Sequence, residues 1–133
     1  MRVRTLPLVA LGAAAFLVSA PAFAHHGAAA YDSKKLTTLK ATVTEFRYIN
    51  PHSEIFFDVV DANGKTQKWI AEAVSVASLS RYGWTKNTLK PGDRIDIIGN
   101  LAKNGSYTMR LSKLVLANGK VLSVERAEDY AEQ

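Results

Sequence analysis

Residues 53–72 read SEIFFDVVDANGKTQKWIAE, and this stretch decides the fold. Ser53, Ile55, Phe57 and Val59 alternate with Glu54, Phe56 and Asp58, the two-residue period of a strand with one face toward a core. Asp61-Ala62-Asn63-Gly64 follows, and its Asn-Gly is the strongest short-range hairpin signal. Thr66 to Glu72 then reads as the return strand, with Trp69 and Ala71 on one face and Ile70 and Glu72 on the other.

Upstream, Leu39, Ala41 and Val43 mark one strand face. The phase then shifts to Phe46 and Tyr48, which predicts a bulge in a long, bent first strand ending at Asn50-Pro51. Downstream the period changes: Val74, Ala77, Leu79 and Tyr82 suit a short helix stopped by Gly83. Lys90-Pro91-Gly92-Asp93 launches a fourth strand through Ile95 and Ile97. Lys103-Asn104-Gly105-Ser106 turns into a strand from Tyr107 to Leu116, and Ala117-Asn118-Gly119-Lys120 turns into Val121–Val124. Three strands, one helix, then two or three strands is the succession of an oligonucleotide/oligosaccharide-binding (OB-like) barrel of five to six strands, with the helix between strands three and four. An open two-sheet sandwich is the alternative. In the barrel, Leu39, Val43, Ile55, Phe57, Ile70, Ile95 and Ile97 are expected to point inward.

The flanks divide the chain. Arg2 and Arg4, the apolar run from Leu6 to Val18 and Ala22-Phe23-Ala24 form a cleavable signal peptide over residues 1–24, so the mature chain is expected to begin at His25 in the periplasm. The apolar run is shorter than the ~20 residues of a membrane span and none follows, so no span is expected after cleavage. Residues 25–36 read as an amino-terminal arm, 37–124 as the OB-like domain and 125–133 as a flexible charged tail. Of 133 residues the mature chain keeps 109, enough for one domain. Lysines and arginines outnumber acids 17 to 12, and two of the arginines lie in the signal. The remaining basic residues are scattered, which argues against a nucleic-acid partner. The absence of cysteine removes disulfides, thiolate nucleophiles and thiolate metal ligands together.

His25-His26-Gly27, Tyr31-Asp32, Asn50-Pro51-His52, the stretch Trp69 to Glu72, Gly83-Trp84-Thr85 and Leu89-Lys90-Pro91-Gly92-Asp93 together resemble the Domain of Unknown Function 6152 family of small exported bacterial proteins. Ala28 departs from the aromatic residue that many members carry after the His-His pair. The resemblance implies export and a compact β domain, and it implies no reaction.

Chemistry must therefore be read from the residues. Two of the three histidines, His25 and His26, lie at the expected mature terminus. A terminal histidine offers its α-amine and its imidazole to one metal ion, and His52 would complete a three-nitrogen site of the histidine-brace kind. Such ligation suits Cu(II), which heads the divalent affinity order. With oxygen from Glu72, Asp32 or Glu54, zinc becomes the rival. Glu72, Trp69 and Asn50 are candidates for an additional ligand or a pocket wall. Glu72 in particular ends an apolar run, where a carboxylate needs a partner such as Arg81 or a ligand. The bland alternative makes the His-His pair a polar terminus and His52 a brace of the Asn-Pro corner.

Other constellations are weaker. Ser75, Ser78 and Ser80 lack the Gly-x-Ser-x-Gly frame of a hydrolase nucleophile. No catalytic residues are assigned, although a copper brace can support oxidative chemistry. Tyr31, Phe46, Tyr48, Phe56, Trp69 and Trp84 would either pack the core or line a groove for a peptide, glycan, small molecule or partner protein. The sequence thus leaves two functions open, a periplasmic copper-binding protein and a non-enzymatic binding module.

Overall fold

A computed structural model of the chain describes residues 27–124. The signal peptide, His25, His26 and the charged tail lie outside the described residues. A 3-10 turn at Ala28–Ala30 leads into β1 (Tyr31–Arg47), β2 (Glu54–Val60), β3 (Thr66–Glu72), α1 (Val76–Arg81), β4 (Arg94–Ala102), β5 (Thr108–Leu116) and β6 (Val121–Ser123). The strands run in the order β3-β2-β1-β4-β5-β6, and a parallel pairing of β3 with β5 closes the first five into a barrel. The OB-like barrel is the observed architecture, the open sandwich is not, and β6 is the additional strand. Among the described residues no helix is long and apolar enough to cross a membrane.

Closure depends on β1, which serves two neighbours in turn. Its residues Leu36–Thr42 pair with β4, and from Thr42 onward it pairs with β2. The expected bulge lies between Val43 and Glu45. An extra residue there bends the strand and raises its twist, which turns Phe46 back toward the core. The Lys90–Asp93 turn locks the bend: Val43 donates to the Asp93 carbonyl at 2.8 Å and accepts from Gly92 at 2.7 Å. β1 begins at Tyr31, well ahead of the Leu39 start suggested by alternation, so residues 31–36 of the expected arm belong to the strand.

The β2–β3 hairpin forms as expected around Asn63-Gly64. The Asp61 carboxylate accepts from the backbone of Asn63 and Lys65, and Gly64 takes the positive φ of +79° that the turn requires. Phe57 lies opposite Trp69 and Ile55 opposite Ala71. Residues directly opposite share a face, so Trp69 and Ala71 turn inward and Ile70 faces outward beside Phe56. Ile70 therefore does not join the core. Val43, Ile55, Phe57, Ile95 and Ile97 do, and Leu39 packs at its margin.

The helix is the stopper of the barrel. Ser75 caps its start by accepting from the Ser78 backbone, and Gly83 at φ +83° ends it. Leu79, Trp84 and Leu89 are carried inward on this connection. The Trp84 indole donates to the Ser123 carbonyl at 2.9 Å, tying β6 to the plug.

Candidate functional site

The corner between β1 and β2 is held by the segment that follows β3. Ser53 and Ala73 are linked by the Ala73 amide donating to the Ser53 carbonyl at 2.8 Å, and the Ser53 amide donates to Val74 at 3.1 Å. The Ser53 hydroxyl donates back to the Ile49 carbonyl, and Asn50 Oδ1 accepts from the Val76 amide at 3.0 Å. The Asn50-Pro51 peptide is cis. Asn50 is thus a bracket between the corner and the helix start. These bonds leave the corner a defined platform for His52.

His52 stands on that platform with about half of its side chain exposed. Its Nδ1 lies 3.2 Å from the Ala73 carbonyl oxygen. A carbonyl only accepts, so this contact assigns the proton to Nδ1 and leaves the lone pair on Nε2. Glu72 Oε1 lies 3.6 Å from the same Nδ1. The arrangement is a half-exposed imidazole whose Nδ1 is backed by a carbonyl and a carboxylate.

Glu72 has partners that were not expected. Its Oε2 accepts from the Tyr31 hydroxyl at 3.0 Å, across 41 positions of sequence. The suggested Arg81 is not the partner found; Tyr31 and His52 are. Tyr31 is only 7% exposed yet stands apart from the hydrophobic core cluster. Burial, then the hydrogen bond to Glu72 and the charge of that carboxylate, push its hydroxyl up to about 12, against a smaller opposing effect of Arg110. Tyr31 is therefore a proton donor to Glu72 throughout the physiological range.

Register places Glu72 in a row of charge across four strands: Arg47, Glu54, Glu72 and Arg110 lie successively opposite one another. Arg47 Nη1 is 3.6 Å from Glu54, and its guanidinium also covers the Phe56 ring at 4.4 Å from the centroid. Trp69 is on the other face of β3 from Glu72. Its ring stacks on Phe57 at 6.2 Å and meets Tyr107 at 5.1 Å, so it belongs to the barrel interior and not to the corner. Phe46, Tyr48 and Trp84 form a second cluster against the helix plug. The aromatic residues are therefore dispersed between core, plug and surface.

Among the described residues, no three His, Asp, Glu or Cys side chains gather closely enough to hold a metal ion. His52 and Glu72 supply two, and His25 and His26 lie outside the described residues. Sequence reasoning missed Tyr31 and Arg110 as neighbours of Glu72. The available signal for Tyr31 was an aromatic residue within the arm, between the alanines 28–30 and the polar run from Asp32. No curated protein and no solved structure matches the chain. Residues 14–110 match the model of a Family of unknown function (DUF6152), and the chain belongs to that family.

Proposed function

We propose that the exported, processed chain is a periplasmic metal-binding protein whose metal is copper, held by the α-amine and imidazole of His25 and by Nε2 of His52, with His26 as an auxiliary ligand. The observation that carries this reading is the environment of His52. Metal-ligating imidazoles donate their second N–H to a carbonyl or carboxylate, which fixes the tautomer and raises ligand basicity. Ala73 and Glu72 offer both groups to Nδ1. Sequence proximity supports the reading too. His25 is six residues ahead of Tyr31, whose hydroxyl donates to the carboxylate beside His52. An all-nitrogen set with no thiolate suits Cu(II), while recruitment of Glu72 oxygen would shift preference toward zinc.

The test titrates Cu(II) into three forms under identical conditions: the mature chain, confirmed by intact mass as residues 25–133, a form carrying one extra Met before His25, and His52→Ala. The extra residue moves the amine while leaving every side chain in place, so its affinity should fall sharply. His52→Ala should also bind more weakly, and both should keep the barrel folded. The α-amine must shed a proton to bind, with an ordinary pKa of ~7.7–8.0, so affinity should decline as pH falls. Equal affinities across the three forms would rule the site out.

A further inference from the structure

Beyond the ligands themselves, the arm that leads to them is fastened in an unusual way. Between Tyr31 opposite Ala102 and Leu36 opposite Asn100, β1 takes five steps where β4 takes two. Residues 32–35 therefore leave the ladder. Left alone, a polar excursion this close to a chain end would fray. Instead the Asn100 amide closes it, donating to the Asp32 carbonyl at 2.8 Å and to the Lys35 carbonyl at 3.1 Å. Two carbonyl acceptors use both amide hydrogens, which also fixes the orientation of the amide. Asp32 Oδ1 accepts from the Lys34 amide inside the excursion. Beyond it, the Lys103 amide donates to the Ala30 carbonyl at 2.9 Å, and Ala30 donates to Gly27 at 2.9 Å.

The chain thus returns to the barrel after the excursion, and it returns at Tyr31, whose hydroxyl holds Glu72. A terminus needed only for solubility would gain nothing from these long-range bonds. We infer that Tyr31 and Asn100 form a clasp that sets where the amino terminus leaves the barrel, and that they are positioning residues for the metal site at His52. The second half of this inference rests on the copper reading, while the clasp itself does not. Tyr31 acts twice: it anchors the arm, and by occupying Glu72 Oε2 it leaves Oε1 as the oxygen facing His52. Asn100 touches neither Glu72 nor His52 in any of these bonds and acts through the arm.

The cysteine-free chain allows the two halves to be tested separately. Spin labels at Gly27→Cys and Ala77→Cys, both exposed positions, report the distance from the arm to α1, which Asn50 brackets to the corner, in metal-free protein. The distance distribution should be narrow, and Tyr31→Phe or Asn100→Ala should broaden it while circular dichroism stays that of the folded barrel. Tyr31→Phe keeps the ring and removes only the hydroxyl, so it isolates the bond to Glu72. In unlabelled mature protein, each variant should weaken Cu(II) binding by about 10-fold or more, as loss of outer-shell support does, and should change the Cu(II) paramagnetic spectrum. A distribution that stays narrow in both variants overturns the clasp. Broadening with unchanged Cu(II) affinity and spectrum overturns the positioning role. If the mature protein takes up no Cu(II), the proposed function and the positioning role fail together, and the distance measurement alone decides the clasp.

Discussion

Replacing Gly99 with alanine adds one methyl group directly against the backbone of β5. A Cβ built there runs into the Arg110 carbonyl oxygen, with the carbonyl carbon at 3.0 Å and the Met109 Cε at 3.2 Å. Met109 is a flexible side chain and can swing away. The Arg110 carbonyl cannot, because β5 is held on both sides: Arg110 pairs with Asn100 of β4 and with Glu72 of β3. The ladder shifts register at this point, where Ser112 of β5 is the extra residue between the partners of Ile98 and Gly99. Overpacking of this kind costs about 1–3 kcal/mol, and an immovable obstacle puts Gly99→Ala at or beyond the upper end. Alanine restricts the unfolded chain and offsets roughly 0.4–1 kcal/mol of that. A net loss of about 2–3 kcal/mol corresponds to a Tm lower by roughly 10–20 °C for a domain of this size. Calorimetry and urea unfolding of the mature chain measure it directly. Adding Met109→Ala should give no rescue, since the side chain is not the obstacle. A fall of less than about 3 °C, or rescue by Met109→Ala, would refute the reasoning that the backbone contact is what excludes a side chain.

Other consequences are open to the same measurements. Phe57→Ala and Ile97→Ala, each in the fully buried core, should lose about 2–5 kcal/mol, whereas Ile70→Ala, on the outer face, should lose well under half as much; the reverse order would mean the β3 phase is wrong. In metal-free protein, an absorbance titration should show a late tyrosine step near 12 that Tyr31→Phe removes. The sign for stability follows from a folded value above the ordinary one of ~10. The Tyr31 contribution is complete below pH 10 and is lost as pH rises through 12, so alkaline unfolding should be less steep in Tyr31→Phe.

Much of the barrel was legible because local pattern and global fold agree along β2, the Asn-Gly turn and the plug helix. The bulge was legible too, as a change of phase between Val43 and Phe46. Ile70 was not. Trp69, Ile70 and Ala71 are consecutive apolar residues, so composition alone cannot choose the inward face, and only the register against Ile55 and Phe57 does. The first half of β1 was hidden for a different reason. Asp32 to Lys35 is polar and has no alternation, and what holds it is the side chain of Asn100, 65 to 68 positions away. Closure of the barrel by β3 against β5 is likewise a parallel, long-range pairing that leaves no periodic trace.

The site was legible as a set of residues and illegible as a set of contacts, and the row through Glu72 explains why it matters which contacts form. Glu54 and Glu72 lie directly opposite each other, a pairing that repels. A fold selected for stability alone would place opposite charges there. Here the row is balanced only at its ends, by Arg47 beside Glu54 and Arg110 opposite Glu72, with the Tyr31 hydroxyl added to Glu72 Oε2. Glu72 is thereby kept in place beside an imidazole whose Nδ1 faces it. A carboxylate behind Nδ1–H makes Nε2 of His52 a better donor to a cation. In the copper site proposed above, the register that sets Glu72 opposite Glu54 and Arg110 thus supplies His52 with its outer-shell carboxylate.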